Sequence, residues 1–107
     1  MSYDAHITRA EDWPESEEYP ITLDELKEYF QTKKDFHYST SFSSTGPVSL
    51  TIAGEFFIWN YGDTPVPFHF WNGRLIVANP DNEILAKMKE IALDLNANLL
   101  GDEGESY

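Results

Sequence analysis

Three histidines, His6, His37 and His69, are the side chains here that titrate nearest neutral pH and ligate metals most readily. With no cysteine among the 107 residues, they bound the chemistry the chain can attempt. Their spacing argues against a metal centre: there is no HExxH, and no two histidines fall three or four residues apart. The serines of 39–44 lie in an alternating run beside one histidine, without the GxSxG elbow of a nucleophilic hydrolase. No Gly-rich loop leads into a helix to cradle phosphate, and "DEGE" (102–105) has neither the length nor the ligand spacing of a calcium loop. These residues specify no enzyme, no cofactor and no metal. The side chains expected to work are ones that bind.

The charge distribution points the same way. The chain carries 19 acids against 7 lysines and arginines, a net −12, with 41% hydrophobic and 15% aromatic residues. "EDWPESEE" (11–18) holds five acids and no base, and residues 102–107 hold three acids and no base, so −8 of the charge sits in two short stretches. Concentrated acid repels nucleic acid and steers a basic partner. A single domain over 1–107 is expected, with an acidic loop at 11–20 and an acidic tail at 101–107, since half this length could not bury a core. No apolar run approaches the roughly 20 residues of a membrane helix. "MSYDAHITRA" shows neither the basic n-region nor the apolar h-region of a secretory signal. The expectation is a cytoplasmic protein without membrane attachment, whose oligomeric state composition does not fix.

Local patterns supply the elements that must position these residues. "YDAHITRA" (3–10) reads as a first strand with Ala5 and Ile7 inward, and the prolines and acids after it as a loop. Thr22 with Glu25 forms a capping box for a helix in which Leu23, Leu26, Tyr29 and Phe30 recur at helical spacing, fading near "QTKKD". Four strand-like runs follow. The first, 36–43, alternates with Phe36, Tyr38, Thr40 and Phe42 on one side. The second, 48–61, is bent or bulged at Gly54, and 66–71 and 74–79 complete the set. "STGPV" and "GDTP" are turns, and Asn72-Gly73 is a two-residue type I′ hairpin turn. Asn79 caps and Pro80 opens a second helix, with Ile84, Leu85, Met88, Ile91, Ala92 and Leu95 in one stripe. Asn96 or Asn98 ends it, and "ANLL" returns as a short strand. The order β-α-β-β-β-β-α-β predicts an α+β fold, an antiparallel meander with both helices on one face.

Alternation then assigns the faces of the sheet. With Val48, Leu50, Ile52, Phe56 and Ile58 toward the helices, Phe57, Trp59 and Tyr61 point away. Val66, Phe68 and Phe70 join the core while His69 and Trp71 point away, and the two-residue turn sets Arg74 opposite Trp71 on the outer side. His37, Ser39, Ser41 and Ser43 complete that outer face. Phe57, Trp59, Tyr61, His69, Trp71 and Arg74 form the candidate partner-binding patch, with the aromatic and arginine content of interface hot spots. Two outcomes would change this: Trp13 and Tyr19 of the acidic loop cover the patch, or a bulge at Gly54 exchanges the two faces downstream.

The end of the chain adds a resemblance. Helix two followed by "LNANLLGDEGESY" resembles the ending of small acidic bacterial proteins in which a helix, an "LNA" segment and a Gly-Asp-x-Gly-Glu tail close a domain of this size. Gly101, Asp102, Gly104, Glu105 and Tyr107 are the matching positions, over roughly the last quarter of the chain. Some proteins of that kind are immunity proteins, cytoplasmic antidotes to polymorphic toxins. The resemblance implies a protein-binding inhibitor of a basic toxin domain, with Asp102, Glu103 and Glu105 rimming the interface and Leu99 and Leu100 anchoring a last strand. The alternative is a small-molecule or peptide-binding module using the aromatic sheet face. That module would show as a concave pocket around Trp59 and Trp71.

Overall fold

A computed structural model describes residues 3–44, 50–62 and 64–107. Asn72 and Gly73 both take positive φ, 48° and 78°, and join β4 (Thr64–Trp71) to β5 (Arg74–Ala78) in the two-residue hairpin the dipeptide favours, with Trp71 opposite Arg74. With β2 (Phe36–Ser44) and β3 (Leu50–Tyr61) these strands form an antiparallel meander. The first and last strands leave the meander order. β1 (Asp4–Thr8) pairs with β5 on one side and β6 (Asn98–Gly101) on the other, giving β2-β3-β4-β5-β1-β6, antiparallel throughout.

α1 (Leu23–Gln31) and α2 (Asn82–Asp94) cover one face of this sheet, so the fold is α+β. Leu26 and Phe30 of α1 and Met88, Ile91 and Ala92 of α2 pack on Ile7, Phe57, Phe68, Leu75 and Leu99 of the strands. The capping box forms as the sequence requires: Glu25 N–H donates to the Thr22 hydroxyl, and the Glu25 carboxylate accepts the Thr22 N–H. Arg9 from the end of β1 reaches the same carboxylate. That contact, with the Thr22 amide, holds the Glu25 carboxyl down to about 2.

α2 starts later than its Asn79-Pro80 signal. Asp81 is the cap, accepting the Ile84 N–H, while Asn79 takes φ 48° and exchanges two hydrogen bonds with Tyr3. Asn79 thereby ties β5 to the start of β1, a use that only the strand pairing reveals. Asn96, at φ 55°, ends α2 in the left-handed conformation, and Asn98 opens β6.

The facing of β3 is opposite to the sequence expectation. Phe57, Trp59 and Tyr61 turn toward the helices, whereas Phe56 stacks on His69 on the other face. The cause is the length of the link to β4. Tyr61 pairs with Thr64, so two residues intervene and Phe57 lies opposite Phe68, Trp59 opposite Val66. Paired residues share a face, so inward Val66 and Phe68 require the odd-numbered residues of β3 inward. Thr64 and Pro65 are strand, not part of a "GDTP" turn. Ile52, expected inward, is 47% exposed.

An irregularity does occur at the expected glycine, where Gly54 and Glu55 lie opposite Thr40 alone. It is β2 that changes side across it: Tyr38 lies against Phe57 on the helix side, and Phe42 against Phe56 on the other. Residues 45–48 of "STGPV" and the side chain of Leu50 lie outside the described residues.

Candidate functional site

Over β5, β1 and β6, the face away from the helices is covered by the acidic segment. A short 3₁₀ turn at Trp13–Glu15 lays the indole of Trp13 flat on the imidazole of His6, centroids 4.4 Å and planes 3° apart. The Arg74 guanidinium lies 5.0 Å from the same indole. Beneath Trp13 runs a continuous polar chain. Asp102 accepts from the Asp4 N–H and from His6 Nε2, both at 2.8 Å. His6 Nδ1 accepts from Arg74 Nε at 3.3 Å, Arg74 Nη1 donates to Ser16 Oγ at 3.0 Å, and the Ser16 hydroxyl donates to the Asn72 carbonyl at 2.6 Å.

A guanidinium can only donate, so Arg74 sets the tautomer: Nδ1 of His6 accepts and Nε2 carries the proton that faces Asp102. Burial opposes an ionised Asp102, but the Asp4 amide and His6 outweigh it and hold the carboxyl below its usual range. His6 is 3% exposed and Arg74 8%. Every member of this chain is engaged with another, and the arrangement locks the segment down.

The lock joins the two acidic stretches. The indole N–H of Trp13 donates to the Asp102 carbonyl at 3.0 Å. The tail folds back on β6: Gly101 N–H donates to Glu105 O, Tyr107 N–H to Leu99 O, and Leu100 bridges to Ser106. Gly104, at φ 84°, makes the turn, and the Tyr3 hydroxyl donates to the Glu105 carboxylate, which pushes the Tyr3 phenol up. A cleft of about 300 Å³ lies between loop and tail, lined by Asp12, Trp13, Glu15 and Glu103 among others. Stretches from opposite ends of the chain thus form one acidic surface, exposed at Glu11, Asp12, Glu15, Glu17, Glu18, Glu103 and Glu105.

The nine residues expected to bind a partner are dispersed by the fold. Phe57 is wholly buried. Trp59 and Tyr61 stack on each other at 4.6 Å on the helix side, where the Trp59 indole donates to Asp35 and Lys87 of α2 lies over its ring. Burial acts against the Asp35 charge, yet that indole, a backbone amide and Lys87 together hold its carboxyl below the usual range. His69 and Trp71 do face outward, and burial with the Arg74 charge lowers the His69 imidazole. Arg74 is outward too but lies under Trp13. Trp59 and Trp71 are on opposite faces of the sheet, so among the described residues they do not line a common pocket. Asp102 is an internal acceptor, while Glu103 and Glu105 are exposed.

Of the two aromatic residues expected to cover the outer face, Trp13 does so, whereas Tyr19 stays 60% exposed. Sequence reasoning missed His6 and Ser16. A strand histidine was visible, but its partners come from β5, the loop and the tail, and nothing local marks Ser16 among its neighbours. Solution quenching separates the three indoles. In single-tryptophan variants, acrylamide should quench Trp71, 54% exposed, several-fold more strongly than Trp13 or Trp59. Equal quenching of Trp13 and Trp71 would mean the acidic segment is not seated on His6.

Comparison with known protein families, with curated proteins and with solved structures finds no match for this chain. Among the described residues no three His, Asp or Glu side chains are grouped to hold a metal ion, and no helix is long and apolar enough to cross a membrane. The site is therefore read from its own geometry.

Proposed function

We propose that this protein is a protein-binding inhibitor that presents the joined acidic surface of 11–18 and 102–105 to a basic partner, acting as a cytoplasmic immunity protein for a cognate bacterial toxin domain. The observation that carries the reading is the convergence of both acid-rich stretches on one surface, held by the Trp13–His6–Asp102 contacts. Carboxylates fixed on an ordered backbone lose less freedom on binding than carboxylates on a loose tail. A concentrated field of one sign speeds encounter with a basic partner by about 10- to 1000-fold at low salt. The resemblance of "LNANLLGDEGESY" to the ends of small acidic bacterial proteins supports the antidote role. The polar chain under Trp13 serves binding in this reading, by setting the surface, and not turnover.

The partner to test is the product of a neighbouring gene that ends in a basic toxin domain. Glu11, Glu15, Glu18 and Glu103 are exposed and make no side-chain bond among the described residues, so changing all four to Gln should leave the melting temperature nearly unmoved. Association should slow several-fold at low salt, and the difference should shrink as the Debye length falls to about 8 Å at physiological salt. Unchanged association in the quadruple variant, or no rescue of growth when protein and toxin are co-expressed, would sink the proposal.

A further inference from the structure

The sheet has two edges and they are treated differently. The β6 edge is covered by the returning tail, whereas among the described residues no strand pairs with the side of β2 away from β3. The hydrogen-bond phase of β2 follows from one contact: Asn60 N–H donates to the Asp35 carbonyl at 2.8 Å. Bonded and non-bonded pairs alternate in an antiparallel ladder. Phe36 opposite Trp59 and Tyr38 opposite Phe57 are then non-bonded pairs, and the backbone groups of Phe36 and Tyr38 turn to the open edge. Phe36 N–H is taken by the Lys33 carbonyl at 3.3 Å, which leaves the Phe36 carbonyl and both groups of Tyr38. Further along, the Ser39 hydroxyl occupies the amide and carbonyl of Ser41 at 3.3 and 2.7 Å. By the same alternation Ser43 also turns its backbone groups outward, and the open stretch at Phe36–Tyr38 is the one that lies beside α1.

A cleft of about 200 Å³ lies at that place, between β2 and α1. Its floor is Phe30, Phe36 and Phe57, and Lys27 and Tyr38 stand at its sides. Lys27 Nζ rests 4.7 Å from the Tyr38 ring and makes no ion pair among the described residues. We infer that this edge and cleft form a docking groove for an extended peptide segment that adds to β2, places an apolar side chain in the cleft, and brings a carboxylate to Lys27. The residue opposite Tyr38 shares its face and so points to the helix side, into the cleft.

Charge selects this occupant over a second copy of the chain. Residues 36–44 contain no acid, so another β2 has nothing to offer Lys27. An acidic peptide is spared most of the field of the acidic surface, because β6 is five strands from β2, roughly 24 Å at about 4.8 Å per strand and beyond the Debye length. The groove is separate from the acidic surface, and its success or failure leaves the inhibitor reading untouched.

Panning a random heptapeptide phage library on the intact protein supplies the probe, and the enriched consensus, made synthetically, is titrated into ¹⁵N-labelled protein. The consensus should pair an apolar residue with an acid two positions away, and amide shifts should centre on Phe36, Tyr38 and the Lys27–Gln31 part of α1. Lys27→Gln should weaken binding by about three- to fivefold, the scale of an exposed ion pair. Lys27→Glu should weaken it further and should favour a peptide with Lys in place of the acid. No consensus, shifts confined to 11–18 and 102–107, or unchanged affinity in both Lys27 variants would overturn the inference. A concentration-dependent dimer whose contact amides are 36–38 would also overturn it, by giving the edge to a second copy.

Discussion

Gly73→Ala should destabilise the protein by about 3 kcal/mol, well beyond the roughly 1–2 kcal/mol that a left-handed conformation costs an L-residue. Two effects add. Gly73 sits at φ 78°, and its carbonyl accepts the Ile21 N–H at 2.9 Å, so the hairpin turn is also the seat of the acidic segment. A β-carbon there would meet Pro20 Cβ at 2.7 Å, and Pro20 Cα and the Ser16 carbonyl at 2.8 Å. Two of those three atoms are backbone and cannot swing aside, so the segment must lift or the turn must distort. Gly62 is the internal control. It has φ 58°, but a β-carbon there would find nothing within 4 Å, so Gly62→Ala should cost only about 1 kcal/mol. Urea denaturation of both variants decides it: equal losses would show that residues 16–21 do not rest on the turn.

The second large effect lies in the chain under Trp13. Asp102→Ala leaves the Asp4 amide and His6 Nε2–H without their acceptor, and Arg74→Ala leaves His6 Nδ1 and Ser16 without their donor. Each should cost about 2 kcal/mol, the middle of the range for orphaned buried groups because Asp102 keeps some exposure. Both partners act through one imidazole, so the double variant should be more stable than the sum of the single losses predicts, by about 1 kcal/mol or more. Glu103→Ala, one residue along the same tail, should move stability by less than about 0.5 kcal/mol. Strict additivity of Asp102 and Arg74 would break the link through His6. A Glu103 effect as large as that of Asp102 would mean the tail is held by its charge in general.

The candidate site was partly legible for reasons that attach to particular residues. Acid-rich stretches at 11–18 and 102–105 are visible in the sequence, and so is an aromatic, Trp13, able to cover a sheet face. Their junction was not visible, since it depends on β1 lying between β5 and β6. That placement sets His6 beside Arg74 from one neighbour and Asp102 from the other. Asp102 and Glu103 are alike in sequence, two acids in a glycine-rich tail. Only the pairing of β6 with β1 makes one an internal acceptor and leaves the other in water.

What the sequence determined by itself is what the backbone decides within a few residues. The Thr22–Glu25 box, the Asn72-Gly73 hairpin and the left-handed Asn96 follow from local φ, ψ and hydrogen-bonding preferences that need no distant partner. The tertiary structure alone decided which face of β3 is buried and which strands are neighbours. A strand has two faces related by a shift of one residue, and "LTIAGEFFIWNY" has large apolar side chains on both, so its own pattern is nearly symmetric between them. The two-residue link to β4 breaks that symmetry, because an even count between paired strands sets odd positions against even ones. Pairing of β1 with β5 and β6 is likewise a choice among edges of similar backbone chemistry. It is settled by burying Ala5, Ile7, Leu75, Val77 and Leu99 together under the helices, and that collective burial places His6, Arg74 and Asp102 in line on the other side.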